Sequence, residues 1–378
     1  MRIVVAPAPF KGAASAVEAA HAIATGLRAA GGSPDIVTVP VADGGEGTRD
    51  ALVAHDGRTR AFTVADPLGR PVAAAIGLLP GAVPTAVVEL AAASGYERLT
   101  DDERDVMTTS TYGTGELIRA ALDFQPERLI LTLGGSATND GGLGIVRALG
   151  GRLLDVAGEE LAGTGADLAR VARLDLSGVD PRMSDVAVTI AGDVRNPLCG
   201  PDGAAAVFGP QKAAAPAQVR ELGRGLGRRA DLYVADGHPD VRDLPGAGAA
   251  GGVAGTMVAL FGASIVSGAD LVLDVVGIDA ALDGADLCIT GEGSLDSQSL
   301  DGKAPVRVAR RARAFGVPVV CLCGRTALGP RETREAGFAA AFTIGSGDPS
   351  ADWAASTARD LARTAAMVAG LRGTATGL

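Results

Sequence analysis

Lysines, carboxylates and two asparagines recur in this chain just after short apolar runs, mostly inside glycine-rich turns. Lys11 lies in Pro9-Phe10-Lys11-Gly12, and Asp43 and Glu46 lie in Asp43-Gly44-Gly45-Glu46-Gly47-Thr48. Ser136, Thr138, Asn139 and Asp140 fall within Gly134–Gly142. Asp193 and Asn196 follow the run Val186–Ala191, with Lys212 soon after in Pro210-Gln211-Lys212. Gly246, Gly248 and Gly251 open a long apolar stretch. Gly291, Glu292 and Asp296 follow Ala285–Thr290, and Lys303 starts the helix beyond them. If the apolar runs are parallel strands, these loops sit at their carboxyl ends, where open sheets bind ligands. Carboxylates, lysines and backbone N–H groups without histidine or cysteine neutralise charge and position reactants. That suits phosphoryl transfer with Mg2+ held by carboxylates and phosphates. Each loop also has a purely structural reading: Gly-Gly makes a turn, and Asn139 or Asp140 would cap a helix running through Val146. Taken together they exceed what turns require, because a turn does not need Asp, Lys, Asn or Glu beside its glycines.

Two motifs fail on context. Gly246-x-Gly248-x-x-Gly251 matches the dinucleotide fingerprint but follows Asp243-Leu244-Pro245 and not a β-run, which argues against a nicotinamide site. What survives is the general property of small residues ahead of a helix, whose free N–H groups face an anion. Gly302-Lys303 is followed by Ala304 and lacks the upstream glycine of a Walker A loop. A nucleophilic triad has little support, with His21 inside a helix, His55 at a helix end and His238 in a polar loop.

Composition narrows the class further. The net charge of −10 argues against a nucleic-acid surface and requires any phosphate site to carry its own local cations or N–H groups. Cys199, Cys288, Cys321 and Cys323 have no zinc-like spacing, which points to a reducing, cytoplasmic setting. Ala247–Ala269 carries no charge, but repeated glycines break it into a loop feeding a buried helix, so no membrane span is expected.

The elements that position these loops follow from periodicity. Ile3–Ala6 reads as a buried strand. Ser15 and Glu18 form a capping box for a helix with Ala20, Ile23, Ala24 and Leu27 on one face, and Ile36–Val41 is the next strand. This βαβ unit implies a parallel sheet. The same grammar returns in the last quarter: strand 285–290, helix 304–315, strands 317–322 and 339–344, helix 354–368. Phe62–Val64 and Val72–Ile76 flank Asp66-Pro67-Leu68-Gly69 as a hairpin, and strands at 86–90, 129–133 and 186–191 follow. At 378 residues the chain suits two α/β domains. One is Rossmann-like, built from residues 1–64 and 285–378, and the other is inserted at 65–284.

The motifs GGSATNDGG (134–142), DGGEGT (43–48), Asn196-Pro197-Leu198 with Phe208–Lys212, PGAGAAGG (245–252) and TGEGSLDSQSLDGK (290–303) resemble the bacterial glycerate kinases. The resemblance runs in order from the first strand to at least Ala309. It implies ATP, Mg2+ and D-glycerate, phosphorylated to 2-phosphoglycerate, with one domain Rossmann- or flavodoxin-like and the substrate cleft between the two domains. Under it, Asp193 is expected as base or hydroxyl orienter. Lys11, Lys212 and Lys303 neutralise phosphate or carboxylate, and Asp43, Glu46, Glu292 and Asp296 are metal or hydroxyl ligands. The loop Ser136–Asn139 holds an anion. The family's Asp-Ser-Phe-Lys after the first strand is here Ala8-Pro9-Phe10-Lys11. That departure raises the alternative of a kinase of another small hydroxy acid or polyol; a separate alternative is a homologue that binds ligand without turning it over.

Overall fold

Ile3, Val4, Val5 and Ala6 are all fully buried, as a parallel strand covered on both faces must be. The computed structural model describes residues 1–54, 56–300, 302–345 and 352–373, so His55 and Asp301 lie outside the described residues. The strands in chain order are β1 Arg2–Pro7, β2 Asp35–Thr38, β3 Arg58–Ala65, β4 Pro71–Leu79, β5 Thr85–Glu89, β6 Arg128–Thr132, β7 Arg152–Leu154, β8 Arg173–Asp175, β9 Ala187–Ala191, β10 Ser264–Val266, β11 Leu287–Leu295, β12 Val319–Thr326 and β13 Ala340–Thr343. The chain divides into two compact units. The first contains Met1–Asp43, Asp50–His55 and Ala269–Leu378, and the second Gly44–Arg49 and Asp56–Gly268.

The first unit is an α/β layer built from both chain ends, with strand order β13-β12-β11-β1-β2 and every pair parallel. Ser15 and Glu18 do form the capping box: Glu18 N donates to Ser15 Oγ at 3.2 Å and Ser15 N to the Glu18 carboxylate at 2.8 Å. A cap of this kind is worth about 1 kcal/mol. The helix it starts, Ala16–Ala29, buries Ile23 and Leu27 with Ile3, Val5, Leu287 and Ile289, and with Leu361 and Ala365 of the helix Trp353–Gly373. The second strand was expected to reach Val41. Regular pairing stops at Thr38, but Val39 N still donates to Val5 O at 2.8 Å and Val41 N to Pro7 O at 3.0 Å.

The second unit has strand order β10-β9-β6-β5-β4-β3, with β5, β6, β9 and β10 parallel and β3–β4–β5 antiparallel. β3 pairs with β4 along its whole length, so residues 58–64 belong with this sheet, and a boundary at residue 64 cuts the hairpin. Its turn is held by Asp66 Oδ1, which accepts from Leu68 N at 2.8 Å and Arg70 N at 2.9 Å. β7 and β8 form a separate antiparallel pair. The uncharged stretch 247–269 becomes a glycine loop, the helix Ala249–Phe261 and the unforeseen strand β10. Among the described residues no helix is long and apolar enough to cross a membrane.

Gly26 marks the tightest helix contact of the first unit: a Cβ there would lie 1.9 Å from the Ala362 carbonyl oxygen. Gly26→Ala must push the two helices apart and is expected to cost about 1–3 kcal/mol. Gly370→Ala, facing open space on the second of these helices, is expected to be neutral or slightly stabilising. Thermal melts of both variants check this; equal melting temperatures would contradict it.

Candidate functional site

Strand register brings Glu89, Thr132, Ala191 and Val266 side by side at the carboxyl ends of β5, β6, β9 and β10. The loops beyond β6 and β9 pack backbone on backbone with the turns at Gly44–Gly45 and Gly248–Gly251. A Cβ on Gly134 would lie 2.7 Å from Gly45 Cα, and one on Gly44 would lie 2.7 Å from Ala191 O. A Cβ on Gly248 would lie 2.3 Å from Pro197 O, and one on Gly251 2.5 Å from Asn139 Cα. Hydrogen bonds fix the same contacts: Gly248 N donates to Asn196 O and Gly141 N to Gly251 O, each at 3.0 Å. The Asn196 side chain is also engaged, donating to Asp202 O at 2.9 Å.

The glycine loop Gly246–Gly252 leads into a helix. Ala250, Gly251 and Gly252 have left-handed backbone, with φ of 52°, 68° and 97°, and regular helix begins at Val253. Gly246 and Gly248 approach the loop after β9, and Gly251 approaches Asn139. These glycines serve the close approach of main chains.

Against this frame stands Lys212. It follows the short helix Ala204–Phe208 and is 4% exposed. Its ammonium donates to Ser136 Oγ and to Thr138 O, each at 2.7 Å. Asn139 is fully buried, yet neither its amide nitrogen nor its amide oxygen has a hydrogen-bond partner, and Thr138 Oγ1 has none either. Asp140 is different. Oδ2 accepts from Thr111 N, Thr111 Oγ1 and Gly144 N at 2.7–3.1 Å, and Oδ1 from Gly142 N at 3.0 Å. Burial pushes its carboxyl up while these donors pull it down. Because three of the four are N–H groups that cannot accept, the geometry serves the carboxylate. Asp140 therefore orders the loop and its neighbour Thr111, and the helix it was expected to cap starts at Leu143 behind Gly142. Asp193 is exposed two residues past β9.

The first unit holds a second group of the expected residues. β11 runs on to Leu295, so Gly291 and Glu292 are strand residues and not loop residues, still paired with β12 after β1 has ended opposite Gly291. A Cβ on Gly291 would lie 2.2 Å from Leu322 O, and one on Gly293 3.6 Å from Lys11 N. Lys303 Nζ is 3.8 Å from Glu292 and 3.8 Å from Asp296. Burial raises the Glu292 carboxyl, Ser299 and Lys303 lower it, and the charges of Asp296 and Asp43 raise it again. Glu292 Oε1 is buried without a hydrogen-bond partner, which suits a hard cation. Among the described residues no three His, Cys, Asp or Glu side chains are arranged to cage a metal. Mg2+ needs no such cage when phosphates and water complete its shell. Glu46 is exposed and belongs to the second unit. Ala8, where the resemblance leads one to expect a carboxylate, uses its N–H to bond Gly291 O at 2.8 Å.

The family model described as the glycerate kinase family matches residues 3–372. The chain belongs to the glycerate kinase family. It is 44% identical over 371 residues to the glycerate kinase of Bacillus subtilis (strain 168), covering 96% of this chain and 97% of that one. It is 42% identical to the glycerate 2-kinase of Escherichia coli (strain K12), covering 91% and 90%. A solved structure described as a glycerate kinase 2 from Salmonella typhimurium LT2 superposes with a TM-score of 0.89 at 42% identity, covering 100% of both chains. The chain is thus a phosphotransferase of the glycerate kinase type. The comparisons favour neither the changed acceptor that Ala8-Pro9 had raised nor the non-catalytic homologue.

Sequence reasoning missed Glu89 and Arg229. Glu89, 5% exposed, ends β5 and accepts from Arg49 N at 3.0 Å; the strand-end rule applied to the run 86–90 would have found it. Arg229 carried no signal, since one arginine in a helix rich in them reads as surface.

Burial holds the Lys212 amine at about 7, with the Asp140 charge opposing. Because the folded value lies below the ordinary 10.5, the unfolded chain binds the extra proton between the two. The cost of this group is therefore largest below about pH 7 and fades as pH rises to about 10.5. For an acid substrate, kcat/KM is expected to fall as pH rises past about 7, where the free amine loses its charge. Lys212→Gln is expected to lower kcat/KM and abolish that limb; an unchanged limb in the variant would contradict the assignment.

Proposed function

We propose that this kinase transfers the γ-phosphoryl group of ATP to the 2-hydroxyl of D-glycerate, giving 2-phosphoglycerate and ADP. The observation that carries the reading is Lys212: a buried ammonium beside the unpartnered Asn139 amide and Thr138 hydroxyl is a preformed seat for a small hydroxy acid. The carboxylate would pair with Lys212, and the Asn139 amide and Thr138 hydroxyl, each able to donate and accept, would bond the acid's oxygens. The name of the Escherichia coli relative, glycerate 2-kinase, supports the 2-hydroxyl as acceptor.

Asp193 is assigned to orient the hydroxyl and take its proton as the glycerate oxygen bonds to phosphorus and the bond to ADP breaks. Lys11 and Lys303 neutralise phosphate oxygens. Glu292 and Asp296 would hold Mg2+, with Asp43 adding charge; when bound, the ion offsets phosphate charge. Glu46 keeps its assignment as a hydroxyl or metal ligand. The expected partners are the nucleotide and the acid, in the cytoplasm, without nucleic acid or membrane.

Phosphorus NMR of the product tests the chemistry: 2-phosphoglycerate is expected, formed only with ATP and Mg2+ and halted by a chelator. A 3-phosphate product would overturn the regiochemistry. Asp193→Asn is expected to lower turnover about 10^2- to 10^4-fold, the range for a general base, with melting temperature nearly unchanged. Near-normal turnover removes Asp193 from this role.

A further inference from the structure

Arg229 is 1% exposed, on the inner face of the helix Pro216–Ala235 with Leu222, Leu226 and Tyr233. Among the described residues it forms no ion pair. One terminal nitrogen donates to the Tyr233 hydroxyl and, at 3.4 Å, to Thr256 Oγ1, while Nε and the other terminal nitrogen have no partner. Its guanidinium carbon lies 5.0 Å from the Tyr233 ring centroid, which offsets part of the burial; a buried cation without an adjacent counter-charge is still unfavourable, so its presence calls for a further compensating interaction.

The hydrogen bonds lead to one. Tyr233 Oη and Thr256 Oγ1 are 2.6 Å apart, and Thr256 Oγ1 donates to the carbonyl of Gly141. With that hydroxyl proton committed to Gly141, Tyr233 is the donor to Thr256 and in turn accepts from Arg229. The Gly141 carbonyl and the Gly142 N–H are two ends of one peptide group, and Gly142 N donates to Asp140 Oδ1 at 3.0 Å. Every donor along this path points from the guanidinium towards the carboxylate. A buried cation and a buried anion are joined through Tyr233, Thr256 and one peptide, each link polarising the next. The steric fit agrees: a Cβ on Gly142 would lie 3.2 Å from Thr256 Cβ.

We propose that Arg229 is a positioning residue for acid binding, serving through Tyr233, Thr256 and the Gly141–Gly142 peptide as the remote counter-charge of Asp140. Asp140 fixes the chain that carries Asn139, and it is the charge that acts on Lys212. Losing Arg229 therefore loosens the seat of the acid. The inference rests on the assignment of the Ser136–Asp140 loop to the acid.

The test uses the full-length enzyme, with wild-type glycerate turnover as the control that separates a wrong acid from a wrong relay. In Arg229→Met the KM for D-glycerate is expected to rise about 10-fold, equivalent to about 1.4 kcal/mol. The KM for ATP should stay within about twofold. Melting temperature should fall, because removing the cation leaves the buried Asp140 charge without its remote partner. Tyr233→Phe keeps the cation and the shape but cuts the path, so it should raise the glycerate KM in the same direction; it decides the matter if Arg229→Met folds poorly. An unchanged glycerate KM in Tyr233→Phe overturns the proposal, as does a rise in both substrates' KM together.

Discussion

A lysine ammonium taken out of water loses its hydration shell, and Lys212 recovers part of it from Ser136 Oγ and the Thr138 carbonyl, each at 2.7 Å. Neither partner is an anion. The charge is kept by the Asp140 carboxylate nearby and, in the proposed complex, by the substrate's own carboxylate. Much of the second unit can be understood as the scaffold for that arrangement. Asp140 must itself stay ionised while fully buried, and so it draws on Thr111, Gly142, Gly144 and, through the peptide ahead of Gly142, Thr256, Tyr233 and Arg229. An acidic chain of net charge −10 thereby acquires a local cation at the seat proposed for the acid.

Backbone proximity is the second constraint. Gly44, Gly134, Gly248 and Gly251 each stand where a methyl group would collide with another loop's main chain. Strand ends alone leave loops splayed; these contacts draw four of them together. The left-handed run Ala250–Gly252 reconciles a loop that must touch Asn139 with a helix that must enter the core at Val253. Substituted glycines here would move the site without altering any side chain in it.

The sheet of the first unit was legible from Ile3–Ala6, Ser15 and Glu18 because a capping box and a buried strand are local signals. The hairpin at Asp66–Gly69 was legible for the same reason, and Lys11, Glu292, Asp296 and Lys303 could be named from strand-end position. What could not be read was long-range. That Lys212 reaches residues 136 and 138, across more than seventy positions of chain, leaves no local trace. Asn139 and Asp140 look equivalent in sequence, yet one is left open and the other saturated, a difference set by Thr111 from a distant segment. The approach of Gly248 to Pro197 and of Gly251 to Asn139 is likewise long-range and leaves no local trace.

The most direct measurement is a crystal structure of the complex with D-glycerate, Mg2+ and a non-hydrolysable ATP analogue. The predicted result is a glycerate carboxylate within hydrogen-bond distance of Lys212 Nζ, with the Asn139 amide bonded to the same molecule. A glycerate bound away from Lys212, with the Asn139 amide still unpartnered, would contradict the role given to this buried lysine.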